Sequence, residues 1–138
     1  GPRGRPDMAP LMFIKRILHG EAINQFGDGT SERDYTYIDD IVSGVLCAVD
    51  NPHGCQVYNL GNGTPISLKR LVETAVRCAG NEASINVMPM QPGDVLRTCA
   101  NIDKAKKMIG YHPRVPFEEG MQRTADWIKN NWSETNGD

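Results

Sequence analysis

Arg33 stands in the stretch FGDGTSERDYTYIDDIV, residues 27–43, between a Gly-Asp-Gly turn and a short aromatic run that leads into a helix. A guanidinium carries five donors in a rigid fork and a permanent charge, so it suits phosphate oxygens better than an ammonium does. Beside a glycine-rich turn it can face a cleft. The opposing reading is an ion pair with Asp28, Glu32 or Asp34, and the residues alone leave the two readings balanced. GPRGRPD places Arg3 and Arg5 among glycines and prolines ahead of a helix. That is a place for an anion, or else a solvated basic turn. MQPGDVLRT holds a third polar loop, in which Pro92-Gly93 forces a turn flanked by Asp94 and Arg97. The pair Asp39-Asp40 reads as a helix cap, since nothing nearby in sequence would raise a carboxylate pKa toward neutrality.

Other chemistries find little support. Cys47, Cys55, Cys78 and Cys99 form no CxxC pair and have no His couple in metal-ligand spacing. They read as free thiols in a reducing compartment, the cytoplasm. His19, His53 and His112 sit at helix ends or turns and read as structural. With 15 basic and 17 acidic residues among 138, the net charge of −2 marks no nucleic-acid or membrane-surface partner. No apolar run approaches the roughly 18 residues of a membrane span. Any anion must therefore meet a local site.

The elements that would position these residues alternate helix and strand. Asp7 is expected to cap a helix with Leu11, Ile14 and Leu18 on one face, stopped by Gly20. AINQF, DYTYI, QVYNL and SINVMP read as short strands. Asp39 or Asp40 caps a helix to about Asp50, and Ser67 caps a helix to Gly80 with Leu68, Leu71, Val72, Ala75, Val76 and Ala79 on one face. A short helix over 102–109 and a last one from Phe117 to Trp132 follow, with Met121, Ala125, Ile128 and Trp132 inward. The fold class is α/β, about four short strands and five helices, with residues 1–132 as one lobe and 133–138 as a frayed tail. A GxGxxG or GxxGxxG turn after a strand is absent, as is any tyrosine followed by lysine four residues on, so the Rossmann nucleotide-binding core is lacking.

Taken in order, GPRGRPDMA, INQFGDGTSERDYTYIDDIVSG, VYNLGNGTPISL and MPMQPGDVLRTCANIDKAKKMIGYHP closely resemble the C-terminal half of nucleotide-sugar epimerases of the extended short-chain dehydrogenase/reductase superfamily. GRPDMA and MQPGDV look most like UDP-glucuronate 4-epimerases. The resemblance implies a substrate-binding lobe that closes over a UDP-sugar beside NAD, with NAD held by a part of the family's chain upstream of this one and no cofactor site here. It implies that Arg33 contacts the diphosphate, that Gln25 and Phe26 line the uracil pocket, and that Arg5 lies near the sugar carboxylate. Many relatives carry a second phosphate-binding arginine before PGD. Gln91 stands there instead, leaving Gln91, Asp94 and Arg97 as further substrate contacts. The family's catalytic tyrosine and lysine have no counterpart, so the isolated chain is expected to be inactive. A lobe parted from its partner is expected to expose an apolar face through residues 68–79 and 56–60, and hence to form a homo-oligomer or to dock the missing Rossmann domain. A related dehydratase or UDP-glucuronate decarboxylase lobe, or a non-catalytic nucleotide-sugar binding module, would share these features.

Overall fold

The structure, a computed structural model, describes residues 1–131. Five helices and four short strands alternate along the chain: α1 Ala9–Leu18, β1 Ile23–Phe26, β2 Glu32–Arg33, α2 Ile38–Asp50, β3 Ile66–Ser67, α3 Leu68–Ala79, β4 Ile85–Met88, α4 Asp103–Ile109 and α5 Phe117–Asn130. The α/β class and the element count agree with the sequence expectation. Trp132 and the tail expected to fray, 133–138, lie outside the described residues.

The main core forms where three amphipathic helices meet β1. Leu11, Phe13, Ile14 and Ile17 of α1 pack with Ile23, with Leu71, Val72, Ala75, Cys78 and Ala79 of α3, and with Met121, Ala125 and Ile128 of α5. These are the apolar faces that helical periodicity selects. α3 has the clearest local code: Ser67 Oγ accepts from the Arg70 amide, and Gly80 ends the helix at φ 79°. A second, smaller core joins Ile102, Ala105, Ile109 and Tyr111 to Cys47, Ala48, Tyr58 and Leu60.

Two small sheets order the loops between the helices. β1 pairs in parallel with β4, with Ile23 opposite Ile85 and Phe26 opposite Met88. β2 pairs antiparallel with β3, and Glu32 is bridged on its other side to Arg97.

Several local expectations need correction. Asp7 does not cap α1: the cap residue is Met8, without a side-chain bond, and Asp7 binds Arg5 instead. The cap of α2 is Tyr37, again without a side-chain bond. Asp40 is buried and turned away, accepting from the Arg114 and Val115 amides at 2.7 and 3.0 Å, while Asp39 pairs with Arg123. DYTYI forms no strand, because the ladder stops at Arg33 and α2 starts at Ile38. QVYNL is likewise unpaired among the described residues, because none of its backbone groups bonds to another backbone group and no ladder forms. The exposed apolar face lies on α2 rather than α3, whose apolar side is spent in the main core.

Candidate functional site

The GDG turn at 27–29 folds back on an Asx-type bond, in which Asp28 Oδ1 accepts from the Thr30 amide at 3.0 Å. This turn delivers β2 alongside the mouth of a cleft of about 310 Å³, a size at the low end of ligand sites, roughly 300–1,000 Å³. Asp7, Met12 and Phe13 line it from the α1 side, Asn24 and Phe26 from β1, Ser31 from just before β2 and Arg33 from within it, and Asp94 from the 91–97 loop. Strand alternation explains the selection on β1. Asn24 and Phe26 share the cleft face, whereas Ile23 is buried in the main core and Gln25 turns back to donate to Gly27 O.

Arg33 is the one arginine among the lining residues. One guanidinium nitrogen donates to Glu32 O at 2.9 Å, and another lies 3.5 Å from Asp94 Oδ1. Its ion partner is thus none of the three acids nearest in sequence. Asp34 instead accepts from three backbone amides, Asn62 at 3.2 Å, Gly63 at 3.0 Å and Ala100 at 2.9 Å. One carboxylate thereby ties the end of β2 to the GNG loop and to residue 100. The tie needs a glycine at 61, where a Cβ would come within 2.5 Å of Ala100 Cβ and 3.0 Å of Asp34 Oδ2. Glu32, on the opposite face of β2, binds Arg97 at 2.9 Å.

The sequence-selected residues therefore divide. Phe26, Arg33 and Asp94 meet in the cleft. Arg5 reaches it indirectly, through an ion pair of 2.6 Å with the lining residue Asp7, whose carboxyl the Arg5 hydrogen bond holds below its ordinary pKa. Gln25, Gln91 and Arg97 are not among the lining residues; Gln91 O closes the 91–94 turn by accepting from the Asp94 amide at 3.2 Å. Two acids and one base line the cleft, and with Arg5 on Asp7 and Arg33 on Asp94 the charges of the cleft and its rim cancel.

Sequence reasoning did not identify Asn24, Ser31 or Tyr35. Tyr35 lines this cleft and also a neighbouring one of about 140 Å³ bordered by Arg5, Tyr37, Val115 and Phe117. Burial pushes its phenol pKa up, partly offset by the Arg33 charge, so the hydroxyl stays protonated and able to donate. Its ring packs on Phe117 at 5.5 Å between centroids. The alternation through INQF was the available signal for Asn24.

No three His, Cys, Asp or Glu side chains among the described residues group as metal ligands, and no described helix is long and apolar enough to cross a membrane. Among the described residues no helix follows a strand of the parallel pair through a glycine-rich turn, so the donor set for a dinucleotide pyrophosphate is not present.

Residues 7–124 match the family model described as GDP-mannose 4,6 dehydratase. The UDP-glucuronate 4-epimerase of Thermodesulfobacterium geofontis is 43% identical over 132 residues, a stretch that takes in 95% of this chain and 41% of that protein. Among solved structures, the UDP-glucuronic acid 4-epimerase of Bacillus cereus in complex with UDP-glucuronic acid and NAD superposes with a TM-score of 0.87 at 35% identity, over 94% of this chain and 42% of the other. UDP-glucose 4-epimerase of Thermotoga maritima with UDP-glucose gives 0.89 at 31% identity, over 96% and 43%. The chain has the partial fold of an extended short-chain dehydrogenase/reductase epimerase and spans about two-fifths of the length of these relatives.

Proposed function

Since the chain belongs to the GDP-mannose 4,6 dehydratase family and is homologous to part of the NAD-dependent UDP-sugar epimerases, we propose that it is the substrate-binding portion of such an epimerase, of the UDP-glucuronate 4-epimerase type. The observation that carries this reading is the meeting of Phe26, Arg33 and Asp94 in one cleft, with Asp7 and its partner Arg5 at the rim. Arg33 takes the diphosphate after exchanging Asp94 for phosphate oxygens, a substitution of one oxyanion for another that keeps the guanidinium paired throughout. Phe26 offers an apolar flat face to the base, and Asn24 and Ser31 supply neutral hydrogen-bonding groups beside it. Arg5 offers charge toward a uronic-acid carboxylate once it is free of Asp7.

NAD supplies hydride chemistry in the relatives that bind it. The residues present here do not fit it, so this chain binds and orients the sugar nucleotide. The expected behaviour of the isolated chain is no turnover of UDP-glucuronate with added NAD, and turnover above blank in a coupled assay would overturn that. The unpaired thiols of Cys47, Cys55, Cys78 and Cys99 suit a reducing compartment, the cytoplasm.

A dehydratase lobe is the second reading, favoured by the description of the matching family model. Titration with UDP and GDP separates the two. Preference for UDP supports the epimerase reading, and preference for GDP supports the other.

A further inference from the structure

Strands β1 and β4 set two side-chain pairs on the cleft face. Their parallel register places Asn24 opposite Asn86 and Phe26 opposite Met88, and residues directly opposite across a ladder share a face. Asn24 and Phe26 line the cleft. The face therefore has an apolar half, Phe26 with Met88, and a polar half, Asn24 with Asn86. Alternate residues along a strand stand about 6.6 Å apart. A flat heterocycle stacked on Phe26 spans that distance with its own edge and one hydrogen bond.

The polar half has a direction. Asn86 Nδ2 donates to Asn24 Oδ1 at 3.3 Å, which engages the carbonyl end of the Asn24 amide. None of the described residues accepts from Asn24 Nδ2, so the end left for a guest is a donor. Asn86 itself is exposed and is not among the lining residues. A donor at this place sorts nucleobases by the group at their pairing edge. An oxo group, as in uracil or guanine, accepts from it. An amino group, as in cytosine or adenine, sets donor against donor and leaves both without a partner.

We propose that Asn24 selects an oxo base over an amino base, and that Asn86 is a positioning residue that holds the Asn24 amide in its donating orientation. The proposal deepens the epimerase reading and rests on it for a nucleotide in the cleft. Ring size is a separate property, read by UDP against GDP. The edge group is read by UDP against CDP, which share ribose, diphosphate and ring shape.

Calorimetric titration of UDP and CDP into wild type, Asn86→Asp and Asn86→Ala tests it. Position 86 is exposed and belongs to neither core, so both substitutions leave the packing intact. Wild type is expected to bind UDP about tenfold more tightly than CDP. An aspartate at 86 only accepts, so it takes the Asn24 N–H and turns Oδ1 toward the guest. The preference is then expected to reverse in favour of CDP. The added charge acts on both ligands alike and cancels in the ratio. Asn86→Ala frees the amide to rotate and should bring the ratio near one. A merely structural role for Asn86 would lower both affinities together and keep the wild-type ratio, and that result would overturn the proposal. So would equal binding of UDP and CDP by wild type, which leaves the epimerase reading standing. GDP bound more tightly than UDP would refute that reading instead, and GDP against ADP would then carry the same test of Asn24. Binding of none of the four at millimolar concentration would overturn both.

Discussion

Replacing Asp34 with alanine should destabilise the lobe far more than replacing its neighbour Arg33. Asp34 accepts from the amides of Asn62, Gly63 and Ala100 over 2.9–3.2 Å. Hydrogen bonds to a charged acceptor contribute about 1.5–3 kcal/mol each when well buried. This carboxylate is only half-buried, so about 1 kcal/mol per bond is the appropriate figure, or about 3 kcal/mol for the three. For a chain of this length each kcal/mol moves the melting temperature by roughly 3 °C, giving a fall of about 10 °C for Asp34→Ala. Asp34→Asn keeps one acceptor oxygen and presents an amide donor to amide donors on the other side, so it should recover only part of the loss. Arg33→Ala breaks a half-exposed pair with Asp94 at 3.5 Å, and a pair of that kind contributes below about 1 kcal/mol. Melting followed by circular dichroism on the three variants decides the matter. A fall below about 3 °C for Asp34→Ala, or an Arg33→Ala fall that equals it, would refute the assignment of Asp34 to the backbone and Arg33 to the cleft.

Asp94→Asn should leave stability nearly unchanged and tighten UDP binding about two- to threefold, because the diphosphate no longer competes with a carboxylate for Arg33; calorimetric titration reads the sign. Tyr111 is buried, its hydroxyl donates to Gly61 O at 2.8 Å, and burial followed by the Asp40 and Asp34 charges pushes its pKa up to about 12. The folded state thus holds this proton more tightly than the unfolded chain, whose phenol titrates near 10, so the contribution is fully present below about pH 10 and is lost as pH rises toward 12. Tyr111→Phe should flatten that alkaline limb in urea melts and cost about 1–3 kcal/mol at pH 7, since Gly61 O loses its donor. Gly44→Ala should destabilise in spite of the higher helix propensity of alanine, because the added Cβ would fall 2.7 Å from Leu60 Cδ2 and 3.0 Å from Tyr111 Cδ2; overpacking of about 1–3 kcal/mol exceeds a propensity gain of about 1 kcal/mol, and chemical denaturation measures the difference.

What the residues disclosed depended on whether the information was local. Ser67 and Gly80 bracket α3 because a cap oxygen and a left-handed glycine act within one turn, and both are found in those roles. The apolar faces of α1, α3 and α5 followed from periodicity alone. The partners of Asp34, Asp40 and Arg33 lie in loops distant along the chain, and no local pattern specifies them. QVYNL has the alternation of a strand, yet a strand also needs backbone bonds to a second segment, and among the described residues it makes none. In the site, Arg33 was legible as a residue type suited to phosphate, Phe26 only through the family resemblance and Asp94 only as part of a turn, whereas the opposed orientations of Gln25 and Phe26 depend on where the β1 pleat places its core face.

The central claim is that Arg33 holds the diphosphate of a UDP-sugar, and calorimetric titration of UDP into wild type and Arg33→Ala tests it most directly. The account predicts binding by wild type, a loss of about 1.5–3 kcal/mol in the variant, or roughly 10- to 150-fold in Kd, and a smaller loss at high salt as the half-open site is screened. Equal UDP affinity in the two proteins, or no binding by wild type at millimolar UDP, would contradict it.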